Sequence, residues 1–300
     1  MDIQYFNREK QCVETEKVYG EKAVKFIYAT APGKLLGFLI SRKWISQLYG
    51  LLQSSSMTQK KILPFIKEFS INMEEFEVDS NFADTTLYGS FNDFFIRKFK
   101  PGKRNFTADK NKMPSFCEAR YLGYDKIHDD LTFPVKGSYL RAKDLLNNHS
   151  CLKDFEGGPL VIARLCPVDY HRFHFPLDAT ITDFFEISGE LHSVNPWALK
   201  EKNNIFIKNE RHVTLMESKE FGKLAYIEVG ATCVGKIVQS SYEKQVKRGQ
   251  EKGYFLFGGS TVVLLGEPGK WSVSKDIREN AEINREVYLK LGDELAVLSK

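Results

Sequence analysis

The sequence predicts an α+β protein in which a helical N-terminal region precedes a mainly antiparallel β domain. From about residue 111 onward, short apolar runs alternate with turn residues, a pattern typical of antiparallel strands. Residues 35–52 instead carry apolar side chains at helical spacing. No repeat or long low-complexity linker separates the two parts. We therefore expect residues 1–70 and 71–300 to form two regions that pack against each other.

The composition argues against several classes of protein. The 300 residues are 42% hydrophobic and 27% charged, as in an ordinary globular protein. The formal net charge of +4 is too small to indicate nucleic-acid binding. No run of about 20 apolar residues occurs, and residues 1–20 lack a signal-peptide core. We expect neither a membrane-spanning helix nor a nucleic-acid partner.

The cysteines indicate the redox environment. They are odd in number, scattered and without C-x-x-C spacing, which favours a reducing compartment over a disulfide framework or a zinc cluster. The five are Cys12, Cys117, Cys151, Cys166 and Cys233.

The predicted helix at residues 35–52 has an apolar face wider than a narrow stripe. Two interpretations are open. The helix packs in a core, or it lies in a membrane interface with Trp44 and Tyr49 at the headgroups and Arg42 on anionic lipid. The surrounding residues 22–67 hold eight basic residues and no acid, which favours membrane docking.

The other elements follow in chain order. Residues 1–21 are polar, and we expect them to be frayed. Ser90–Arg104 is a short helix candidate that ends at Pro101-Gly102. Residues 276–298 fit a helix or a strand equally well. The predicted strands lie in residues 131–136, 159–166, 180–187, 211–217, 223–229, 234–239 and 254–265.

A glycine pair interrupts the last of these apolar runs, at Gly258-Gly259-Ser260-Thr261. Glycines weaken a strand, but they suit a tight bend or a close approach to the backbone. One chemical use of this arrangement is attack of the Ser260 oxygen on the Gly259 carbonyl, which would cut the chain. The other interpretation is a kinked core strand.

A second segment, Leu165–Pro176, concentrates groups that can transfer protons near neutral pH. Three interpretations are open: an acid–base site, a metal site and histidines that are only hydrogen-bonded in a loop. The metal site is disfavoured because the remaining histidines lack ligand spacing. The segment contains Asp169, His171, Arg172 and His174, and the remaining histidines are His128, His149, His192 and His212.

Together these segments resemble the phosphatidylserine decarboxylase family, and most closely its bacterial subgroup with a Gly-Gly-Ser-Thr processing site. The resemblance runs from about Ser90 to the C-terminus. Several blocks in the right order are far more specific than any one of them. The blocks are Ser90–Lys98, Phe133–Gly137, Asp169–Pro176, Gly189–Pro196, Val229–Gly235 and Gly253–Thr261. The fold implied is β-rich, with sheets packed face to face and the processing serine at a tight turn between strands.

The resemblance implies that Ser260 processes the chain. Its oxygen attacks Gly259 to give an ester, and elimination and hydrolysis then leave a pyruvoyl group on residue 260, with loss of ammonia. The products would be a β chain of residues 1–259 and an α chain of residues 260–300.

The resemblance also assigns roles to three further residues. His174 is implied as the base that activates the Ser260 hydroxyl. Glu118 stands where the family's Pro-x-Asp-Gly motif has aspartate, and Ala119 stands where it has glycine. We expect Glu118 to orient His174 by a hydrogen bond, with His174 facing Ser260. His171 is implied to handle protons or bind the substrate during decarboxylation.

The activity implied is that of a carboxy-lyase, which converts phosphatidylserine to phosphatidylethanolamine and CO2 through a Schiff base on the pyruvoyl group. No metal, pyridoxal phosphate or nucleotide is implied. The partners implied are phosphatidylserine in an anionic membrane and the two chains as a heterodimer, with a higher oligomer left open. We expect a peripheral protein on the cytoplasmic face of the bacterial cell membrane. Two alternatives are a decarboxylase of a soluble amine precursor and a lipid-binding protein in which Glu118 has abolished processing.

Overall fold

The computed structural model describes residues 3–20, 26–27, 30, 32–33, 37, 43–78, 88–127, 132–135, 138–192, 205–231, 236–258 and 260–299. Their architecture is α+β with mostly antiparallel sheets, which confirms the predicted fold class.

Strands dominate the described residues. They are β1 (Gln4–Asn7), β2 (Cys12–Thr15), β3 (Lys112–Pro114), β4 (Ala119–Tyr124), β5 (Thr132–Val135), β6 (Ser138–Arg141), β7 (Leu160–Leu165), β8 (Arg172–His174), β9 (Ala179–Ile187), β10 (Arg211–Ser218), β11 (Gly222–Val229), β12 (Ile237–Gln239), β13 (Gln245–Val246), β14 (Glu251–Phe255), β15 (Ser260–Gly266), β16 (Trp271–Val273), β17 (Glu286–Leu289) and β18 (Glu294–Leu298). Strands β5, β7, β9, β10, β11 and β12 fall in the predicted runs to within one residue. The last predicted run is split into β14 and β15.

The helices are short. They are α1 (Lys43–Gln53), α2 (Ile62–Phe69), α3 (Phe91–Phe95), α4 (Ala142–Leu145), α5 (Ile205–Lys208) and α6 (Lys275–Glu282), with 3₁₀ turns at Ser56–Lys61, Met73–Glu75 and Ser150–Asp154. Helix α1 is the described part of the helix predicted at residues 35–52. Among the described residues, no helix is both long and apolar enough to cross a membrane.

A ten-stranded sheet forms the centre, in the order β13-β9-β10-β11-β15-β7-β4-β17-β1-β2. Strands β7 and β15 are its neighbouring inner strands, and every residue of both is buried. Continuous apolar runs suit strands that are covered on both faces. A three-stranded sheet, β12-β14-β8, covers one face, where the Phe173 ring lies 6.3 Å from the Tyr226 ring. The predicted run 254–265 therefore forms part of both sheets.

The N-terminal residues differ from the prediction. The stretch expected to be frayed contains the hairpin β1–β2, which extends the central sheet through a parallel pairing of β1 with β17. Residues 4–15 are therefore strand rather than part of a helical region. Pairing with a distant strand is a tertiary effect that local polarity does not predict. The boundary at residue 70 stays a prediction.

Two other expectations are corrected or resolved. The helix predicted over Ser90–Arg104 is only the five residues of α3, capped by the Ser90 side chain, which accepts a hydrogen bond from the Asp93 N–H. It ends at Ile96, well before Pro101-Gly102. Residues 276–298, which fitted helix and strand equally, contain most of α6 and the strands β17 and β18.

Candidate active site

Ser260 is the first residue of β15, and it pairs with Leu165 of β7. Its side chain is fully buried, and Ser260 Oγ has no hydrogen-bond partner among the described residues. Just before it, Gly258 has φ 149°, a conformation that residues with a side chain rarely adopt. Gly259, the other half of the predicted cleavage site, lies outside the described residues. The serine is thus a buried hydroxyl at a glycine break, where a strand begins.

His171 lies beside this break. Its carbonyl accepts a hydrogen bond of 3.0 Å from the Phe255 N–H, and its ring lies 3.8 Å from the Phe95 ring, centroid to centroid. His171 Nδ1 is 3.1 Å from the Asp169 carbonyl oxygen, whereas Nε2 makes no well-formed hydrogen bond within the described residues. Burial lowers the pKa of His171 to about 3, although the Asp169 and Gly258 carbonyls oppose this shift. The imidazole is therefore neutral at physiological pH, and its Nε2 has no hydrogen-bond partner among the described residues.

His174 lies on the other side of the same strand. Side chains alternate along a strand, so the fully buried His171 and Phe173 alternate with Arg172 and His174. His174 Nδ1 is 2.9 Å from the Gly249 carbonyl oxygen, and Nε2 is 3.1 Å from the Tyr170 hydroxyl. Burial lowers the pKa of His174 as well. His171 and Phe173 therefore lie on the side of the strand toward the central sheet, and His174 lies on the opposite side. That His174 acts on Ser260 stays a prediction.

Glu118 is buried, but its partners are not the predicted one. Arg104 donates from Nε to Glu118 Oε2 at 2.5 Å and from Nη2 to Oε1 at 3.3 Å. The Tyr288 hydroxyl donates to Oε1 at 3.0 Å. Burial raises the pKa of the carboxyl, and Arg104 opposes the shift. The predicted hydrogen bond between Glu118 and His174 is absent in this structure, because Arg104 and Tyr288 occupy the carboxylate while other groups occupy the imidazole.

Asp169 holds the histidine segment in place. Its carboxylate accepts hydrogen bonds from the Arg120 guanidinium and from the Cys166 N–H, the latter at 2.6 Å. Arg120 pairs in register with Arg164, and Arg164 pairs with Thr261, directly after the serine. The interior side chains of β4 and β7 thus tie the histidine segment to the serine strand by buried charge.

Sequence reasoning missed Arg120 and Arg164. Their only signal was an arginine within each of two apolar strands, which is unusual because a buried arginine needs acidic partners. The acids that serve Arg164 come from distant parts of the chain. They are Glu16, with a shortest contact of 2.6 Å, and Glu286, also at 2.6 Å.

Aromatic packing connects the N-terminal helices to the processing segment. The Phe257 ring lies 5.0 Å from both Phe91 and Phe95 of α3 and 6.1 Å from Tyr49 of α1. Asn92 accepts a hydrogen bond of 2.8 Å from the Phe257 N–H and donates to the Gly50 carbonyl at 3.1 Å. The helices therefore fix the segment three residues before Ser260.

The described residues contain no cluster of His, Cys, Asp and Glu able to hold a metal ion. Four cysteines in the same part of the chain are free: Cys12, Cys117, Cys151 and Cys166. Within Leu165–Pro176, Asp169 and His174 are hydrogen-bonded to neighbouring residues.

The fold and this site define a class: a β-rich protein with a buried serine at a glycine break and a neutral histidine beside it, the arrangement that a self-processing precursor needs. The chain belongs to the phosphatidylserine decarboxylase family, whose family model, described as phosphatidylserine decarboxylase, matches residues 91–296. This confirms the family predicted from the sequence.

Full-length relatives agree with this assignment. The chain is 41% identical to the phosphatidylserine decarboxylase proenzyme of Clostridium kluyveri, over 98% of this chain and 99% of the relative. It is 38% identical to the proenzyme of Clostridium tetani, over 98% and 97%. For the proenzyme of Fusobacterium nucleatum subsp. nucleatum the identity is 40%, over 97% and 96%.

Proposed function

We propose that this chain is the precursor of a phosphatidylserine decarboxylase, which cleaves itself between Gly259 and Ser260 and converts phosphatidylserine to phosphatidylethanolamine and CO2. The observation that carries the proposal is the buried Ser260 hydroxyl, which has no hydrogen-bond partner among the described residues and lies two residues after Gly258, whose φ is 149°. A buried polar atom without a partner is costly, and one at a glycine break where a strand begins fits a reactive group. Family membership and full-length relatives named as proenzymes support the proposal that this chain is a precursor.

Self-processing needs a base for the Ser260 hydroxyl. A serine hydroxyl is a weak nucleophile, so an acceptor must take its proton as Oγ bonds to the Gly259 carbonyl carbon. The family resemblance assigns this role to His174, with Glu118 orienting it. The contacts of the described residues favour His171, since its neutral ring lies on the side of the strand toward the central sheet and its Nε2 is open. We propose that His171 faces Ser260 and takes its proton. Cleavage rates of the His171→Ala and His174→Ala variants distinguish between the two histidines as the base.

The product of processing is a pyruvoyl group on residue 260, and the surroundings fit it. The position is dry, because Ser260, Thr261 and the neighbouring Leu165 are all at most 1% exposed. The carbonyl of such a group supplies an electrophile for an amine and a sink for the electrons left when CO2 departs. The chain's own residues exclude water and hold the new chain end on β15, where backbone pairing with β7 and β11 persists after the cut.

We also propose that the protein docks on anionic membranes through its N-terminal helices. Helices α1 and α2 and the turn between them expose large apolar side chains, with Leu51 and Met57 each 71% exposed. Lys60, Lys61 and Lys67 are exposed in the same elements. Apolar side chains interspersed with lysines suit an anionic lipid surface. The side chain of Trp44, on which the sequence argument relied, lies outside the described ones.

One experiment tests the processing step. The purified chain should separate on denaturing electrophoresis into fragments of residues 1–259 and 260–300, and the intact mass of the smaller should fit a pyruvoyl rather than a serine end. Ser260→Ala should leave one intact chain. Cleavage in Ser260→Ala, or an uncut wild type, would refute the proposal, and the latter would favour a lipid-binding protein.

A second experiment tests the substrate. The processed protein should release CO2 from vesicles containing phosphatidylserine and form phosphatidylethanolamine, while Ser260→Ala should release none. Release of CO2 from free serine at an equal rate would instead favour the decarboxylase of a soluble amine precursor.

A further inference from the structure

A buried ion pair outside the histidine segment lies on the same side of the central sheet as Ser260. Lys252 of β14 is 2% exposed, and Glu228 of β11 is fully buried. Lys252 Nζ donates to Glu228 Oε1 and, at 2.8 Å, to Gln239 Oε1. Moving two ions out of water costs desolvation free energy that their attraction often does not exceed, so stability alone does not explain a buried ion pair.

A β-bulge directs the lysine inward. In the pairing of β14 with β8, Glu251 lies opposite His174 but Gly253 lies opposite Phe173, so that Lys252 is the extra residue. Bulges turn a side chain away from the regular alternation, and they are frequent beside active sites. Here the bulge places Lys252 Nζ 5.2 Å from the centre of the Tyr226 ring, which lies on the central sheet.

The sheet register places Glu228 beside residue 260. Glu228 lies directly opposite Val262, and Ser260 is two residues earlier on the same strand. Directly opposite residues share a face, as do alternate residues of one strand, so Glu228 and Ser260 share a face. They are diagonal neighbours, at a separation of about 7–8 Å between Cα atoms that long side chains can cross.

One oxygen of this carboxylate is open. Lys252 holds Glu228 Oε1, but Glu228 Oε2 has no hydrogen-bond partner among the described residues. A buried carboxylate oxygen without a donor is costly, and an ammonium group is its best partner. The proposed substrate carries a primary ammonium group, which must reach residue 260 and lose a proton before its nitrogen can attack.

We propose that Glu228, held by Lys252, is the subsite for the primary ammonium group of the substrate. Glu228 Oε2 accepts a hydrogen bond from the ammonium and then takes one of its protons: an N–H bond breaks, an O–H bond forms, and the nitrogen lone pair becomes free to attack residue 260. Lys252 keeps the carboxylate in place and compensates its charge. This inference rests on the proposed decarboxylase function, and it assigns no part in self-cleavage to the pair.

Binding to an unreactive form of the enzyme provides the first test. Borohydride reduces the pyruvoyl carbonyl to an alcohol, so an amine can bind but cannot react. Calorimetry with glycerophosphoethanolamine and with glycerophosphocholine, whose quaternary nitrogen has no N–H, then measures the contribution of the ammonium donors. We expect wild type to prefer the ethanolamine headgroup by roughly tenfold or more, the effect of one charge-assisted hydrogen bond. Glu228→Gln combined with Lys252→Met should bind both equally.

Kinetics separate this inference from the proposed function. The double variant should cleave itself like wild type, and kcat/KM for phosphatidylserine vesicles should fall by roughly tenfold or more. A wild type that does not cleave would overturn the proposed function. Normal cleavage with unchanged kcat/KM, or equal affinity of wild type for both headgroups, would overturn only the ammonium subsite.

Two further variants guard against a folding defect. Glu228→Asp keeps the charge but withdraws the carboxylate by one methylene, and it should also lose the headgroup preference. Tyr226→Phe is the matched control, because it removes a buried hydroxyl without a described partner from the same strand and face. It should keep both the preference and kcat/KM. A preference retained in Glu228→Asp or lost in Tyr226→Phe would contradict the assignment to Glu228.

Discussion

At the scale of single residues, the site is defined by buried polar atoms that lack partners. Ser260 Oγ, His171 Nε2 and Glu228 Oε2 are all buried, and none has a hydrogen-bond partner among the described residues. Other buried polar atoms of the described residues also lack partners, but these three lie close to the start of β15, so they are the ones to test for a part in the reaction. His174 and Glu118, in contrast, have their hydrogen-bonding atoms occupied by neighbouring residues.

The two histidines make different predictions for self-cleavage. His171→Ala should slow cleavage by about 10²-fold or more, because it removes the neutral base beside Ser260. His174→Ala should slow it less, since His174 is bound to Tyr170 and Gly249 on the other side of the strand. Time courses on denaturing gels after rapid purification measure both rates, with circular dichroism as the folding control. A block in His174→Ala alone would support the assignment made by family resemblance.

Glu118 can be tested for a structural or a chemical role. Glu118→Gln removes the charge that faces Arg104, so it should lower the free energy of unfolding by about 3 kcal/mol, as expected for one half of a buried ion pair. Urea denaturation in a Ser260→Ala background, which stays one chain, measures this. Glu118→Asp should recover part of the loss. Unchanged stability together with abolished cleavage in Glu118→Gln would show that the carboxylate acts on the processing chemistry.

The lowered pKa of His171 predicts a loss of stability in acid. Its pKa is about 3 in the folded chain, against 6.5 for an ordinary histidine, so only the unfolded chain takes up this proton between the two values. The contribution of His171 to the free energy of unfolding is therefore complete above pH 6.5. It falls by about 1.4 kcal/mol per pH unit as the pH drops toward the folded pKa. Between pH 6.5 and 5, Ser260→Ala should lose about 2 kcal/mol more than Ser260→Ala/His171→Gln. Equal losses in urea denaturation would contradict the burial of a neutral imidazole.

At the scale of elements, two connections position the serine strand. The bulge in β14 turns the Lys252 side chain toward the central sheet. Asn92 of helix α3 holds the segment before Ser260 by accepting a hydrogen bond from the Phe257 N–H. Asn92 also donates to the Gly50 carbonyl and the Ser54 hydroxyl of the N-terminal helical segment, the latter at 2.9 Å. One amide thus joins the exposed helices to the processing segment.

Asn92→Ala should therefore slow self-cleavage more than it lowers stability. It removes the acceptor for the Phe257 N–H and leaves that buried donor unpaired, so the backbone before Ser260 loses a fixed position. We expect a decrease of roughly tenfold in the cleavage rate. Asn280→Ala is the control: Asn280 is also buried, but it bonds to Asp276 and Arg285 in and after α6. If cleavage slows equally in both variants, Asn92 contributes only to the stability of the fold and not to the position of the processing segment.

At the scale of the whole molecule, the N-terminal helices connect the surface proposed to dock on membranes to the segment before Ser260. The outer side of these helices exposes leucines and lysines. On the inner side, Tyr49 contacts Phe257 directly, and Phe65 packs on Phe91 in the same aromatic cluster. A substrate embedded in a bilayer would thus meet the protein on the side where the processing segment is anchored.

Membrane docking should be measurable by vesicle pelleting. Wild type should pellet with vesicles containing phosphatidylserine, less so as salt rises, since each surface lysine contributes about 1 kcal/mol that salt screens. Lys60→Glu/Lys61→Glu should weaken binding at low salt, and Leu51→Ser/Met57→Ser should weaken it at all salt concentrations. Lys275→Glu, an exposed change on α6, is the control and should bind normally. Pelleting that ignores salt and both double variants would refute docking through these helices.

The sequence by itself determined the family and the strand pattern of the β domain, because alternation, glycine breaks and motif order are properties of the chain that need no tertiary contact. The glycine pair Gly258-Gly259 drew attention to Ser260, and the short spacing between His171 and His174 drew attention to both histidines. The sequence could not decide which histidine faces the serine, since that depends on how β8 pairs with β14 and which face of β8 meets the central sheet. Nor could it pair Glu118 with Arg104 or place Glu228 beside residue 260. Those contacts join residues far apart in the chain, and only the register of the sheets and the burial of charge decide them.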